Sequence, residues 1–197
     1  LKSSWNQCAP YNYYMPHNAK DPIPSVNKYR ASTGCGTTAM AQVLNFYQWP
    51  PYGEGKMSHT DAQGKLQSSF ETDFGHHYGW DLIKNSFDPN ATGAGAQAVG
   101  QLCYDVAVAG RIDNEPGVSA INLNEASNNF VNHMFYEAGE WVIGDATGRS
   151  AIVENLKKKI PVPADIDIDN KGNGHAIVFD GLLIENGSAS YHTNYGW

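Results

Sequence analysis

Three cysteines in 197 residues are too few to staple a fold. Cys8, Cys35 and Cys103 are an odd number, so at least one thiol stays free; in an extracellular setting a Cys8–Cys103 pair would leave Cys35 reduced. Basic residues are scarce as well: 13 Lys and Arg stand against 20 Asp and Glu, a formal net charge of −7. With no basic stripe to offset a phosphate backbone, nucleic acid is not an expected partner. The one basic run, Lys157 to Lys159, reads as the solvated end of a helix. No apolar run approaches the ~20 residues that span a bilayer, so no membrane span is expected. Nothing at the N-terminus has the zones of a signal peptide, and any export or pro-segment is expected to have been removed or left out. There is no internal repeat and no low-complexity tract.

What is present describes an ordinary globular protein, 41% hydrophobic and 17% charged with 20 glycines, in one large domain or two closely packed lobes. Residues 1–34, rich in Pro, Asn, Tyr and Ser, read as an extended, aromatic-bearing arm. Apolar residues at positions 39, 40, 43, 44 and 47 then mark one face of a helix that follows Cys35 and stops at Pro50-Pro51. Residues 52–94 read as loop-rich. Further helices are expected at about 96–109, 124–136 and 149–159. After Pro161 the pattern changes. Asp165 to Asp169 alternates strictly, Ala176-Ile177-Val178-Phe179 and Leu182-Leu183-Ile184 read as buried strand, and 189–194 continues in that style. Helices followed by antiparallel strands predict an α+β protein, a helical lobe over about 1–110 and a mainly β lobe over about 111–197.

Thr33-Gly34-Cys35-Gly36 places a thiol at the start of a helix, where free N–H groups and the positive end of the helix dipole favour the thiolate. The thiolate is the attacking species in nucleophilic catalysis. A small core-packing cysteine is the competing reading, and for Cys35 alone the two are even. A nucleophilic thiol needs an imidazole from elsewhere in the chain. Of seven histidines, His175 leads, because Gly172-Asn173-Gly174 precede it and an apolar strand follows to anchor the ring. His59, His76 and His77 read as solvated loop residues, and His192 as either core or surface. Asp165, Asp167 and Asp169 with Asn170 and Gly172 have the opening of a calcium loop, but the sixth position lacks its glycine and the twelfth is Ala176. A solvated strand edge is the better reading, and no metal site is expected.

Four motifs in register resemble the streptopain family of papain-like bacterial cysteine peptidases. They are Trp5-Asn6-Gln7 with Pro10-Tyr11-Asn12; Thr33-Gly34-Cys35 leading to Thr38-Ala39-Met40-Ala41-Gln42; Gly174-His175 through Asp180-Gly181; and Tyr191-His192-Thr193-Asn194-Tyr195-Gly196-Trp197. The resemblance spans residues 5 to 197 and is loose between 52 and 150. It implies a single papain-like domain with its site in a cleft between the lobes. Cys35 would be the nucleophile and His175 the base. Gln7 would give its amide to an oxyanion hole, Asn194 would accept from the second imidazole nitrogen, and Trp197 would cover that bond. On residue type alone, Gln7 is an ordinary polar residue of the arm, Asn194 a strand-end turn residue, and Trp197 core. Tyr195 stands where the family usually has Trp, altering the aromatic wall behind the histidine. The family continues past the position of Trp197, so the β lobe is expected to be truncated.

The reading is therefore a cysteine endopeptidase acting on proteins or peptides through an acyl-thioester. No cofactor is implied. The resemblance further implies secretion, an inhibitory pro-segment and a preference for apolar side chains at the second subsite. Two alternatives stay open: a catalytically inactive papain-like binding or adhesion module, and acyl transfer to amines on the same dyad.

Overall fold

A computed structural model describes residues 1–17, 30–61, 69–115, 118–169 and 174–197. Its centre is helix α1, Cys35–Tyr47, in which six consecutive residues from Thr37 to Gln42 are buried. Small side chains make that possible, since Thr37, Thr38, Ala39 and Ala41 let neighbours approach from all sides. The helix ends where Gln48 turns left-handed ahead of Trp49-Pro50. Against α1 lies α2, Ala94–Ala109, which buries Val99, Leu102, Cys103 and Val106. Two further helices carry side-chain caps. Asn122 accepts from the N–H groups of Asn124 and Glu125 at the start of α3, Leu123–Met134. Asp145 accepts from Thr147 and Gly148 at the start of α4, Ala146–Lys157.

Among the described residues, seven strands form three antiparallel sheets: β1 (Lys56–Thr60) with β2 (Ser69–Asp73), β3 (Asp113–Glu115) with β4 (Val118–Ala120), and β5 (Val162–Asp167), β6 (Gly174–Glu185) and β7 (Ser188–Asn194) in that order. The mixture of helices and antiparallel sheet is the one expected. The β1–β2 hairpin corrects the loop reading of 52–94. Lys56-Met57-Ser58-His59-Thr60 lacks the aliphatic residues that announce a strand, and only every second residue is partly covered. Strand β5 covers Val162–Asp167, so Ile168 and Asp169 fall beyond its end. Asn170, Gly172 and Asn173, used in the calcium-loop and histidine-loop readings, lie outside the described residues.

One core joins the helices to the sheet: Trp5, Tyr11, Leu44, Phe74, Leu102, Val106, Phe130 and Met134 are continuous with Ala176 and Val178 of β6. Burying a large side chain of this kind contributes about 1.5–3 kcal/mol. The arm is thus not a loose extension, since Trp5 and Tyr11 pack with ring centroids 5.5 Å apart in the same core. The consequence for the site is direct. The start of α1 and the start of β6 are both anchored by the core and face one another.

Candidate active site

Cys35 is the first residue of α1, and the residue before it, Gly34, has φ +80 with no side-chain cap. Its hydroxyl neighbours hold the entry turn: Thr38 Oγ1 donates to the Gly34 carbonyl at 3.0 Å and lies 3.1 Å from Thr33 Oγ1. Both flanking glycines are demanded by packing. A Cβ on Gly34 would fall 2.1 Å from the Ser119 carbonyl oxygen, and one on Gly36 would fall 2.6 Å from Ile121 Cγ1. The segment that follows β3 thus presses against the turn carrying the thiol. The N–H groups that open α1 have no intrahelical acceptor, so the thiol sits at the positive end of the helix.

The thiol meets β6. The Ala176 N–H donates to Cys35 Sγ at 3.4 Å, which brings the residue directly after His175 against the sulfur. His175 is 5% exposed. Its Nε2 lies 3.0 Å from the Tyr195 carbonyl oxygen. A carbonyl can only accept, so Nε2 carries a proton and Nδ1 is the ring nitrogen with a free lone pair. The Trp197 indole lies flat on the imidazole, with ring centroids 4.7 Å apart and planes 5° from parallel; the Tyr195 ring follows at 6.2 Å and 13°. Trp197 is 75% exposed, so it lies over the histidine on the solvent side rather than filling the core.

Asn194 does not make the hydrogen bond expected of it. Its side chain is turned toward α1, where it exchanges two hydrogen bonds with Gln42 (3.2 and 3.0 Å). It also donates to the Ser3 carbonyl and accepts from Gly196 N–H. Gln42, fully buried, accepts in addition from Trp5 N–H at 3.3 Å. The imidazole partner is instead the main chain one residue later. The sequence names Gln42 in a motif but gives it no role; it lies seven residues after Cys35, on the same face of the helix and among apolar neighbours. The Gln7 carbonyl accepts from Thr33 N–H at 3.0 Å, two residues before Cys35. An Asx turn made by the Asn6 side chain onto Cys8 N–H bends the chain at that point.

His59 and His76 depart from the solvated-loop reading, while His77 is exposed in a loop as expected. His59 is on β1, stacked on Phe70 at 5.0 Å and bonded to the Ile112 carbonyl. His76 Nε2 lies 2.8 Å from Asp105, a fully buried carboxylate that also accepts from Thr72, Tyr78 and Gln101. That hydrogen bond holds the His76 pKa above its ordinary value, against the opposing effect of burial. His192 is a surface residue bonded to Asp180. Cys103 and Cys8 are not joined by a disulfide, and burial, reinforced by nearby Asp105, pushes the Cys103 thiol far up. That is the thiol of a core residue, not of a nucleophile. No group of three or more His, Cys, Asp or Glu among the described residues is arranged to hold a metal.

The chain has counterparts. A family model described as the Peptidase C10 family matches residues 5–197. Streptopain of Streptococcus pyogenes serotype M28 is 25% identical over 205 residues, covering 98% of this chain and 50% of that protein. The thiol protease/hemagglutinin PrtT of Porphyromonas gingivalis is 24% identical over 208 residues, 98% of this chain and 21% of that protein. The chain therefore spans about half the length of the streptopain it matches. Among solved structures, the active wild-type interpain A cysteine protease of Prevotella intermedia superposes with a TM-score of 0.82 at 26% identity, over 100% of this chain and 80% of that one. A prointerpain A fragment gives 0.79 at 25% identity, over 100% of this chain and 60% of that one.

Proposed function

The chain belongs to the Peptidase C10 family, a family of cysteine-type peptidases, and from that premise we propose that it is a cysteine endopeptidase working through an acyl-thioester on Cys35. The observation that carries the proposal is the meeting of Cys35 Sγ with the N–H of Ala176, directly after a buried His175 whose Nε2 proton is committed to a carbonyl. Nδ1 takes the Cys35 proton, and the thiolate attacks the scissile carbonyl carbon. The tetrahedral oxyanion is held by backbone N–H at the start of α1 and by the Gln7 side-chain amide. Collapse breaks the C–N bond, the imidazolium gives its proton to the departing amine, and the acyl group remains on sulfur. Water then attacks the thioester with His175 as base, releasing the acid and restoring the thiol. Trp197 keeps solvent off the Nε2–carbonyl bond throughout.

The same reading places the site in a cleft between a helical lobe (about 1–110) and a mainly β lobe (about 111–197). Proteins and peptides are the substrates. A pro-segment inhibits the enzyme before activation, a view supported by the name of its structural relative prointerpain. Secretion from a bacterial cell is supported by the likeness to streptopain and PrtT. No helix among the described residues is long and apolar enough to cross a membrane.

The test is chemical. In reducing buffer the protein should hydrolyse casein, and Cys35→Ala should abolish that while Cys103→Ser retains it. Iodoacetamide at mildly acidic pH should alkylate Cys35 and spare Cys103. An unreactive Cys35 with no hydrolysis would favour a binding module. The PrtT name, which pairs a protease with a hemagglutinin, is what keeps that second reading worth testing. A dominant amide product with added amine would mark an acyl transferase.

A further inference from the structure

Beside the nucleophile lies a depression of about 600 Å³ whose walls include Arg111, Ile121, Leu123, Trp141 and Asp165. Two of these walls lead directly to the reacting groups. Ile121 is the side chain that packs on Gly36, next to Cys35. Asp165 is the register partner of Ala176, whose N–H touches the sulfur. A Cβ on Gly174, immediately before His175, would lie 3.4 Å from Asp165 Oδ1. The Asp165 carboxylate therefore stands one strand away from both nucleophile and base.

Its charge is uncompensated. Asp165 is exposed and has no ion-pair partner among the described residues. The cationic side chain in the same wall, Arg111, is held by Glu125 at 3.5 Å. The second acid there, Asp113, is already engaged within the protein. Trp141, in the same wall, leaves 60% of its surface in water. Aliphatic wall, open indole and unpaired carboxylate together match one kind of side chain: a long apolar stem ending in a cation, which packs its methylenes on the indole and sets its charge against the acid.

We propose that this cavity is a substrate subsite for a lysine or arginine side chain flanking the scissile bond, held between the Trp141 indole and the Asp165 carboxylate. The proposal rests on Cys35 and His175 being the peptidase dyad. It departs from the apolar preference that the family resemblance implies at the second subsite, because a pocket built for apolar side chains has no use for an unpaired carboxylate in its wall.

A positional scan tests it, using fluorogenic peptides that carry lysine, leucine or glutamate at each position near the cleaved bond. At one position the parent should favour lysine over leucine in kcat/KM by about three- to tenfold at low salt, shrinking as salt is added. Asp165→Asn should bring that ratio toward one, and Asp165→Lys should turn the preference to glutamate. The same peptides are also bound to Cys35→Ala protein and followed by fluorescence anisotropy, which reads the cavity without turnover. Cleavage with a lysine-to-leucine ratio that Asp165→Asn leaves unchanged overturns the subsite and spares the peptidase. Absent cleavage with Asp165-dependent binding of the lysine peptide overturns the peptidase, and with it the substrate role, and leaves the cavity as a lysine-binding site.

Discussion

The imidazole of His175 gives its Nε2 proton to the main chain of Tyr195, with 3.0 Å between nitrogen and carbonyl oxygen. A backbone acceptor cannot be lost by side-chain substitution, so the residue type at 195 is free to vary while the histidine stays oriented. The Tyr195 ring lies along the imidazole at 6.2 Å while its carbonyl holds it.

Asn194 then becomes a clamp rather than an orienting partner. Asn194→Ala should strand the buried Gln42 amide and the Ser3 carbonyl, lowering stability by about 1–3 kcal/mol. Urea unfolding measures this, alongside kcat/KM on a reference peptide. A collapse of kcat with unchanged unfolding would instead make Asn194 the histidine's working partner.

Gln7 acts, on the proposed mechanism, only when the oxyanion has formed. Gln7→Ala should cut kcat by roughly two orders of magnitude and leave KM nearly unchanged. An effect confined to KM would reassign Gln7 to positioning the substrate.

Gly34 is constrained twice, by its positive φ and by the Ser119 carbonyl 2.1 Å from where a Cβ would sit. Gly34→Ala should cost on the order of 3 kcal/mol and depress activity, because relief of the clash moves the turn that carries Cys35. Parent-like melting and parent-like casein hydrolysis together would mean that the approach of residues 118–121 is not needed.

The His76–Asp105 contact makes stability depend on pH. The folded-state pKa of His76 is raised above 6.5, chiefly by the hydrogen bond to Asp105, with smaller help from Asp73 and the His77 carbonyl. A raised pKa means that the protonated form is favoured in the fold. The contribution is therefore complete below the unfolded-state pKa and is lost as pH rises through the folded one. Urea midpoints should fall between mildly acidic and mildly alkaline pH, and His76→Gln should flatten that fall. A profile identical in parent and variant would remove His76 from the account.

Much of the site could be read from local pattern. Apolar spacing after Cys35 marked α1 to within a residue of its start, and the apolar run after His175 marked β6, because periodicity and burial are properties of neighbouring residues. The β1–β2 hairpin escaped because its strands expose alternate polar residues and owe their pairing to each other rather than to their own composition. The pairing of Asn194 with Gln42 joins residues 152 positions apart, and no local signal can say which of several polar partners an amide will choose. What the sequence by itself determined was a thiol at a helix start and a histidine at a strand start. Only the tertiary structure decided that the thiol lies against the residue after the histidine, which carbonyl holds the imidazole, and that both glycines beside Cys35 exist to let the 119–121 segment come close. Backbone acceptors and close approaches have no residue code, so only the packed chain reveals them.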